Sequence, residues 1–182
     1  MNKIVVLYDS RSGNTKKMAE LVRDGALSLA ETEVRILSVS EASAEDIFWC
    51  DGIAVGSPTY VGLVSAEMKA FWDGLVKKAW CKIDGKIGCA FSSSGGRGGG
   101  AEIVCQSIAT IMLNFGMLVF GIPDYTGPGQ TLHYGAIASG QPEEGAESDA
   151  CVRLGRRLAE WVAFYCHGKK EAHPLVQEYR KK

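Results

Sequence analysis

The chain has 182 residues, 46% of them hydrophobic, with 20 Lys and Arg against 21 Asp and Glu, for a net charge of −1. That balance excludes a strongly basic nucleic-acid surface and supplies no field toward an anionic membrane. The length suits one compact domain with a sizeable core. The opening MNKIVVLYDS turns polar too early for a signal peptide, and no apolar stretch approaches the ~20 residues that span a bilayer. Six cysteines stand at 50, 81, 89, 105, 151 and 166 without CxxC spacing. They read as reduced, buried thiols of a cytoplasmic protein and not as a disulfide frame or zinc site.

In chain order, short apolar runs alternate with helical patterns. Ile4–Tyr8, Val34–Leu37, Gly52–Gly56, Lys86–Phe91 and Met117–Gly121 read as fully buried strands. Residues 15–30 place Met18, Leu21, Val22, Ala26 and Leu29 on one helical face. Residues 65–80 do so with Met68, Phe71, Trp72, Leu75, Val76 and Ala79, and residues 148–166 with Cys151, Leu154, Leu158, Trp161 and Tyr165. Residues 101–115 are apolar nearly all round. Trp49, Trp72, Trp80 and Trp161 lie on apolar faces and are expected in the core. The order predicts an α/β protein with a doubly wound parallel sheet between helix layers. A Gly- and Pro-rich stretch at 122–147 is too long for a tight connection and reads as a functional or interface loop. The last fifteen residues, GKKEAHPLVQEYRKK, hold five basic and two acidic side chains. Residues 1–166 are therefore expected to form the domain and 167–182 a solvated basic tail.

Ligands of open parallel sheets bind beyond the carboxyl ends of the strands. The loops there read SRSGNT (10–15), GSPTYVG (56–62) and FSSSGGRGGGAE (91–102). The first puts Ser10, Arg11, Ser12, Gly13, Asn14 and Thr15 where a strand hands over to a helix. Unpaired amides at a helix N-terminus, with hydroxyl donors beside them, accept a phosphate. The loop has no lysine, so it is not the GxxxxGK[ST] nucleotide loop. In the second loop Pro58 stiffens the turn, and Tyr60 offers a ring for stacking. In the third, six of the eight residues from Gly95 to Glu102 are Gly or Ala. That costs folding entropy and points to close approach of backbone to a ligand. Together the loops predict a ligand with a phosphate and a flat polar ring, such as a mononucleotide.

At these motifs the chain resembles the flavodoxin-like FMN-binding family. SRSGNT matches its phosphate-loop pattern. GSPTYVG and the serine–glycine run before GAE resemble WrbA-type NAD(P)H:quinone oxidoreductases, and TLHYGA (131–136) shares a YGA with them. The resemblance implies a three-layer, five-stranded sheet of order 2-1-3-4-5. It implies FMN as cofactor, its phosphate cradled by residues 10–15. Pro58, Thr59, Tyr60, Val61 and Gly62 would line the flavin ring, and Ser92, Ser93, Ser94, Gly95, Gly96, Gly98 and Gly99 would close over its other edge. It also implies NAD(P)H as electron donor, a quinone-like acceptor or a redox partner protein, and a homo-oligomer (dimer or tetramer).

The chain departs from the resemblance in three ways. It is nearly neutral where electron-carrier flavodoxins are acidic. Its third loop lacks their stacking tyrosine and nearby acids. Residues 56–65 run straight into the next helix, where larger quinone reductases carry an insertion. An uncovered ring favours two-electron reduction of a second flat molecule; the alternative is a flavodoxin relaying single electrons. A Rossmann site is disfavoured because Gly96-x-Gly98-x-x-Ala101 follows the fourth strand and no acid ends the next. His133, Tyr134, Asp124 and Tyr125 in the long loop read as exposed side chains, although a histidine near a flavin can donate a proton.

Overall fold

The computed structural model describes residues 1–127 and 130–178, with side chains for all of these except 124–127, 130, 177 and 178. The elements in order are β1 (Asn2–Tyr8), α1 (Asn14–Leu27), β2 (Thr32–Ser38), α2 (Ala44–Trp49), β3 (Gly52–Pro58), α3 (Ala66–Ala79) and β4 (Ile87–Ser94). There follow α4 (Ala101–Asn114), β5 (Leu118–Val119), β6 (Ile122–Gly127), β7 (Gln130–Leu132), β8 (Ala136–Ser139) and α5 (Ala146–His167). A 3-10 turn (Lys170–Ala172) and α6 (Pro174–Glu178) complete the chain.

The main sheet is parallel with order β2-β1-β3-β4-β5, as the sequence predicts. Its register aligns Ile4 with Val34 on one side and Gly52 on the other, and Gly56 with Phe91. Alternate side chains of a strand point to opposite faces. Ile4, Val6, Ala54, Cys89 and Phe91 therefore pack under α1 and α5, while Val5, Leu7, Ile53, Val55 and Ala90 pack under α2, α3 and α4. Both faces are covered, which is why these strands read as continuous apolar runs.

The predicted fifth strand, Met117–Gly121, survives as the two-residue β5 against Ile87 and Gly88. The rest of that edge belongs to β8, which pairs Ala136 to Ser139 with Phe91 to Ser94. Between them the long stretch folds into the antiparallel β6–β7 pair. Strand β2 is an edge and only half-buried, not fully buried as predicted.

Several faces also differ from expectation. On α3, Met68, Trp72, Leu75 and Ala79 are buried, while Val76 is exposed because the sheet fills only one side of the helix. Trp80 and Tyr165 are exposed as well, and Trp49 is half-buried under the Arg35 guanidinium, 3.8 Å from its ring centroid. Of the cysteines, Cys50, Cys89, Cys105 and Cys151 are buried; Cys81 and Cys166 are exposed. Helix α5 also buries charge beside its apolar face: Glu160, fully enclosed, is held by Arg153 at 3.4 Å and Arg156 at 3.0 Å.

Two glycines allow α1 and α5 to touch by backbone. A Cβ on Gly25 would lie 1.9 Å from the Val152 carbonyl oxygen, and one on Gly155 1.8 Å from that of Val22. The start of the basic tail is not solvated: Ala172 is buried, and the His173 ring stacks edge-on against Phe164 and Trp161 at centroid distances of 4.7 and 5.0 Å. Among the described residues no helix is long and apolar enough to cross a membrane, and no His, Cys, Asp or Glu cluster could hold a metal ion.

Candidate functional site

The three loops meet at the carboxyl edge of β1, β3 and β4. In the first, Gly13 caps α1 with φ 90°, a left-handed conformation that suits glycine. No side chain caps the helix and no acid lies in its first turn. The Ser10 hydroxyl instead accepts from the Gly13 amide at 3.1 Å, which folds the loop back over the helix start. The first turn thus presents amides, the positive end of the helix dipole and exposed Lys16 and Lys17. This arrangement fits an anion and lacks the intramolecular one that normally fills it. Asp9, at the seam between the first two loops, leaves its buried Oδ2 without a hydrogen-bond partner among the described residues.

Thr15 is buried, its hydroxyl 2.8 Å from that of Ser93, so the first and third loops are joined through side chains. Arg11 does not turn over the phosphate loop. It pairs with Glu67 at the start of α3, 2.6 Å away, and its guanidinium lies 5.0 Å from the Tyr60 ring centroid. This contact raises the arginine and holds the Glu67 carboxyl below its usual range. Nothing local to the loop marks this partner, 56 residues away.

In the second loop Tyr60 and Leu63 exchange backbone bonds of 3.0 and 3.1 Å. Val61 (φ 51°) and Gly62 (φ 80°) form the tip, a type I′ turn. A β-branched residue in this conformation is an outlier and marks a strained, shaped turn; Val61 is also fully exposed. Residues 59–65 then lead directly to α3, whose N-cap Ser65 accepts from Met68. No insertion intervenes.

The serines of the third loop serve as scaffold. Ser92 donates to the Ser57 carbonyl at 2.8 Å and lies 3.2 Å from the Thr59 hydroxyl. Thr59 N–H donates to the Ser93 carbonyl at 2.7 Å, and Ser94 donates to the Gly96 carbonyl at 2.9 Å. Ser57, which sequence reasoning passed over, accepts from Ser65 N–H at 2.9 Å and fixes the start of α3. Above these hydroxyls, Cβ atoms on Gly95, Gly96 or Gly98 would meet nothing within 4 Å, whereas one on Gly99 would sit 2.8 Å from the Gly96 carbonyl oxygen. The loop is tight on its inner side and open on its outer side, as a planar ligand lying against backbone requires.

The expectation that this loop lacks nearby acids is corrected. A recess of about 440 Å³ beside it is lined by Arg97, Glu102, Glu143, Glu144 and Glu147; Glu143 and Glu144 come from the turn before α5 and Glu147 from its first turn, so these three were invisible in the loop's own sequence. His133 stands outside the rim, upstream of β8 at the sheet edge and exposed. The side chains of Asp124 and Tyr125 lie outside the described residues.

The strand order, the switch between β1 and β3 and the loop trio define a flavodoxin-like fold. The chain matches the NADPH-dependent FMN reductase family over residues 2–130, and it belongs to that family. It is 59% identical over 181 residues to a flavodoxin of Aquifex aeolicus, covering 100% of this chain and 96% of that one. It is 30% identical over 198 residues to an NAD(P)H dehydrogenase (quinone) of Archaeoglobus fulgidus, covering 91% of this chain and 100% of the other. Its structure resembles that of a WrbA-like flavodoxin from Agrobacterium tumefaciens with a TM-score of 0.68 and 25% identity, over 89% of this chain and 98% of that one.

Proposed function

We propose that residues 1–166 form an FMN-binding domain of a cytoplasmic, self-associating protein that takes hydride from NAD(P)H and passes two electrons to a quinone-like acceptor. The observation that carries this reading is the uncapped N-terminus of α1 beside a glycine loop that has open space over Gly95, Gly96 and Gly98 among the described residues. The α1 amides, with the hydroxyls of Ser10, Ser12 and Thr15 and the Asn14 amide, hold the phosphate. Asp9 Oδ2 accepts from a hydroxyl of the sugar-alcohol chain. The Thr59–Gly62 turn and the Gly95–Gly99 backbone bracket the ring, Tyr60 being kept in place by Arg11. When bound, FMN supplies the redox chemistry. Overall, NAD(P)H and one solvent proton reduce the quinone to quinol and leave NAD(P)⁺. The chain's part is to bind, orient and leave one ring face accessible; no covalent catalyst is required.

A second reading, a carrier of single electrons between proteins, is favoured by the acidic recess around Glu102 and Glu147, which would steer a basic partner, and by the flavodoxin name of the Aquifex relative. Anaerobic mixing of the FMN-loaded protein with NADPH, followed by benzoquinone, separates the two. The reductase reading expects rapid bleaching by NADPH and rapid recolouring by the quinone. Absence of bleaching by either NADH or NADPH would leave the carrier reading.

A further inference from the structure

The turn that brackets one side of the ring site also forms the head of an open, mostly apolar groove of about 1000 Å³. The groove runs from Thr59 and Tyr60 between the start of α3 and helix α4, past Leu63, Val64, Ala66 and Ile111. Turn and helix meet over Gly100, where an added Cβ would lie 3.9 Å from Thr59 Cγ2 and 3.8 Å from Ile103 Cδ1. No charged residue stands in α4 between Ile103 and Asn114. The α4 hydroxyls on the groove are spent within the helix: Ser107 donates to the Ile103 carbonyl and Thr110 to that of Gln106, each at 2.9 Å. Bonding back to the carbonyl four residues earlier leaves their methyl and methylene groups outward. The two cations on the border are paired within the chain, Arg11 with Glu67 and Lys69 with Asp73, both at 2.6 Å.

We propose that this groove seats an apolar chain carried by the acceptor, so that the acceptor is a quinone bearing an alkyl or prenyl chain; this rests on the reading of the loop trio as a hydride-to-quinone site. A concave, mostly apolar pocket with few polar groups suits a small apolar ligand. A charged tail would lose its hydration here and find each border charge already neutralised. A hydrocarbon chain asks for no hydrogen bond and gains affinity with every methylene it buries. It also covers Leu63, which is 58% exposed at the groove's head. The groove fixes where the quinone head lies: a chain in it enters the ring site past Thr59 and Tyr60, beside the Thr59–Gly62 turn. The chain takes no part in the chemistry. NAD(P)H and one proton reduce the head to quinol and leave NAD(P)⁺, with or without a tail. What the groove adds is positioning, and hence a choice among acceptors.

The experiment is calorimetric titration of the full chain, loaded with FMN and oxidised, with two quinones: tetramethylbenzoquinone, and the homologue in which a decyl chain replaces one methyl. The parent binds the decyl quinone about 100-fold more tightly, the gain from burying about three or four methylene groups. Thr110→Glu, at an exposed position on the groove wall, and Ile111→Asn each cut that ratio about tenfold or more and leave tetramethylbenzoquinone affinity within about twofold. Gln106→Glu, exposed on the same helix but off the groove, changes neither affinity. Equal affinities for the two quinones in the parent overturn the proposal; that is the result if a second copy of the chain fills the groove instead. A decyl preference that survives both groove variants also overturns it, since the chain then lies elsewhere. The titration needs no electron donor. A decyl preference in a protein that NAD(P)H does not bleach therefore sinks the reductase reading and leaves the groove, and bleaching with equal quinone affinities does the reverse.

Discussion

Replacing Thr15 with valine keeps the buried shape and removes one hydroxyl. That hydroxyl is bonded to Ser93 at 2.8 Å and stands one residue into the first turn of α1. If Ser93 donates to Thr15, the Thr15 proton is free for the phosphate. A hydroxyl-to-phosphate bond is charge-assisted and contributes about 1.5–3 kcal/mol, so the FMN dissociation constant should rise about 10- to 150-fold. Riboflavin has no phosphate, and its affinity should change less than about twofold. Ser93→Ala removes only the supporting hydroxyl and should cost about 0.5–1.5 kcal/mol of FMN binding. The double variant should bind like Thr15→Val alone, because the second loss acts through the first. Stability follows a different order. Thr15→Val strands the buried Ser93 hydroxyl at about 1–3 kcal/mol, whereas removing both partners is nearly neutral. Melting should fall by about 2–10 °C in the single variant and recover in the double. Flavin fluorescence quenching and thermal melts of the apoprotein measure both effects. FMN affinity within twofold of the parent, or an equal loss for riboflavin, would refute the relay and the placement of the phosphate.

Four further outcomes are expected. Gly155→Ala drives a Cβ into the Val22 carbonyl, 1.8 Å away; the helices must part, and a loss of about 3 kcal/mol or more, or about 6–12 °C of melting temperature, should appear in a thermal scan. Gly99→Ala, crowded against Gly96 and Ser94 at 2.8 Å, should weaken FMN and riboflavin alike in the same titrations, since it distorts the ring loop and not the phosphate loop. Asp46 is held below its ordinary 3.8, first by the Ser43 hydroxyl and also by Arg35. A depressed carboxyl stabilises above the unfolded value and loses that contribution as pH falls through the folded one. Asp46→Asn should therefore cost about 1 kcal/mol at pH 7, and its melting curve should converge on the parent's in acid. Burial pushes the Cys50 and Cys151 thiols up to about 12 and those of Cys89 and Cys105 higher still; a thiol reagent should label Cys81 and Cys166 in the native protein and all six only after unfolding.

The parallel sheet was legible because buried strands and amphipathic helices leave strong periodic marks, and the helix start after SRSGNT was legible because a strand-to-helix turn is local in sequence. What escaped was non-local. Arg11 looked like a phosphate ligand until Glu67 and Tyr60 were seen beside it. Ser92 and Ser93 looked like ring contacts, but their hydroxyls lie beneath the loop, bonded to residues of the two neighbouring loops. The split of the last strand into β5 and β8 was hidden because Ala136–Ser139 is too short and too weakly apolar to announce a strand without its partner Phe91–Ser94. The burial of Glu160 lay off the apolar face read on α5, and its compensation by Arg153 and Arg156 appears only once the helix is packed.

The central claim is that one FMN sits with its phosphate on the start of α1. The visible absorption of the protein, mixed with excess FMN and freed of unbound flavin by gel filtration, tests it directly. The account predicts a yellow protein with one flavin per chain. A colourless protein after loading would contradict it.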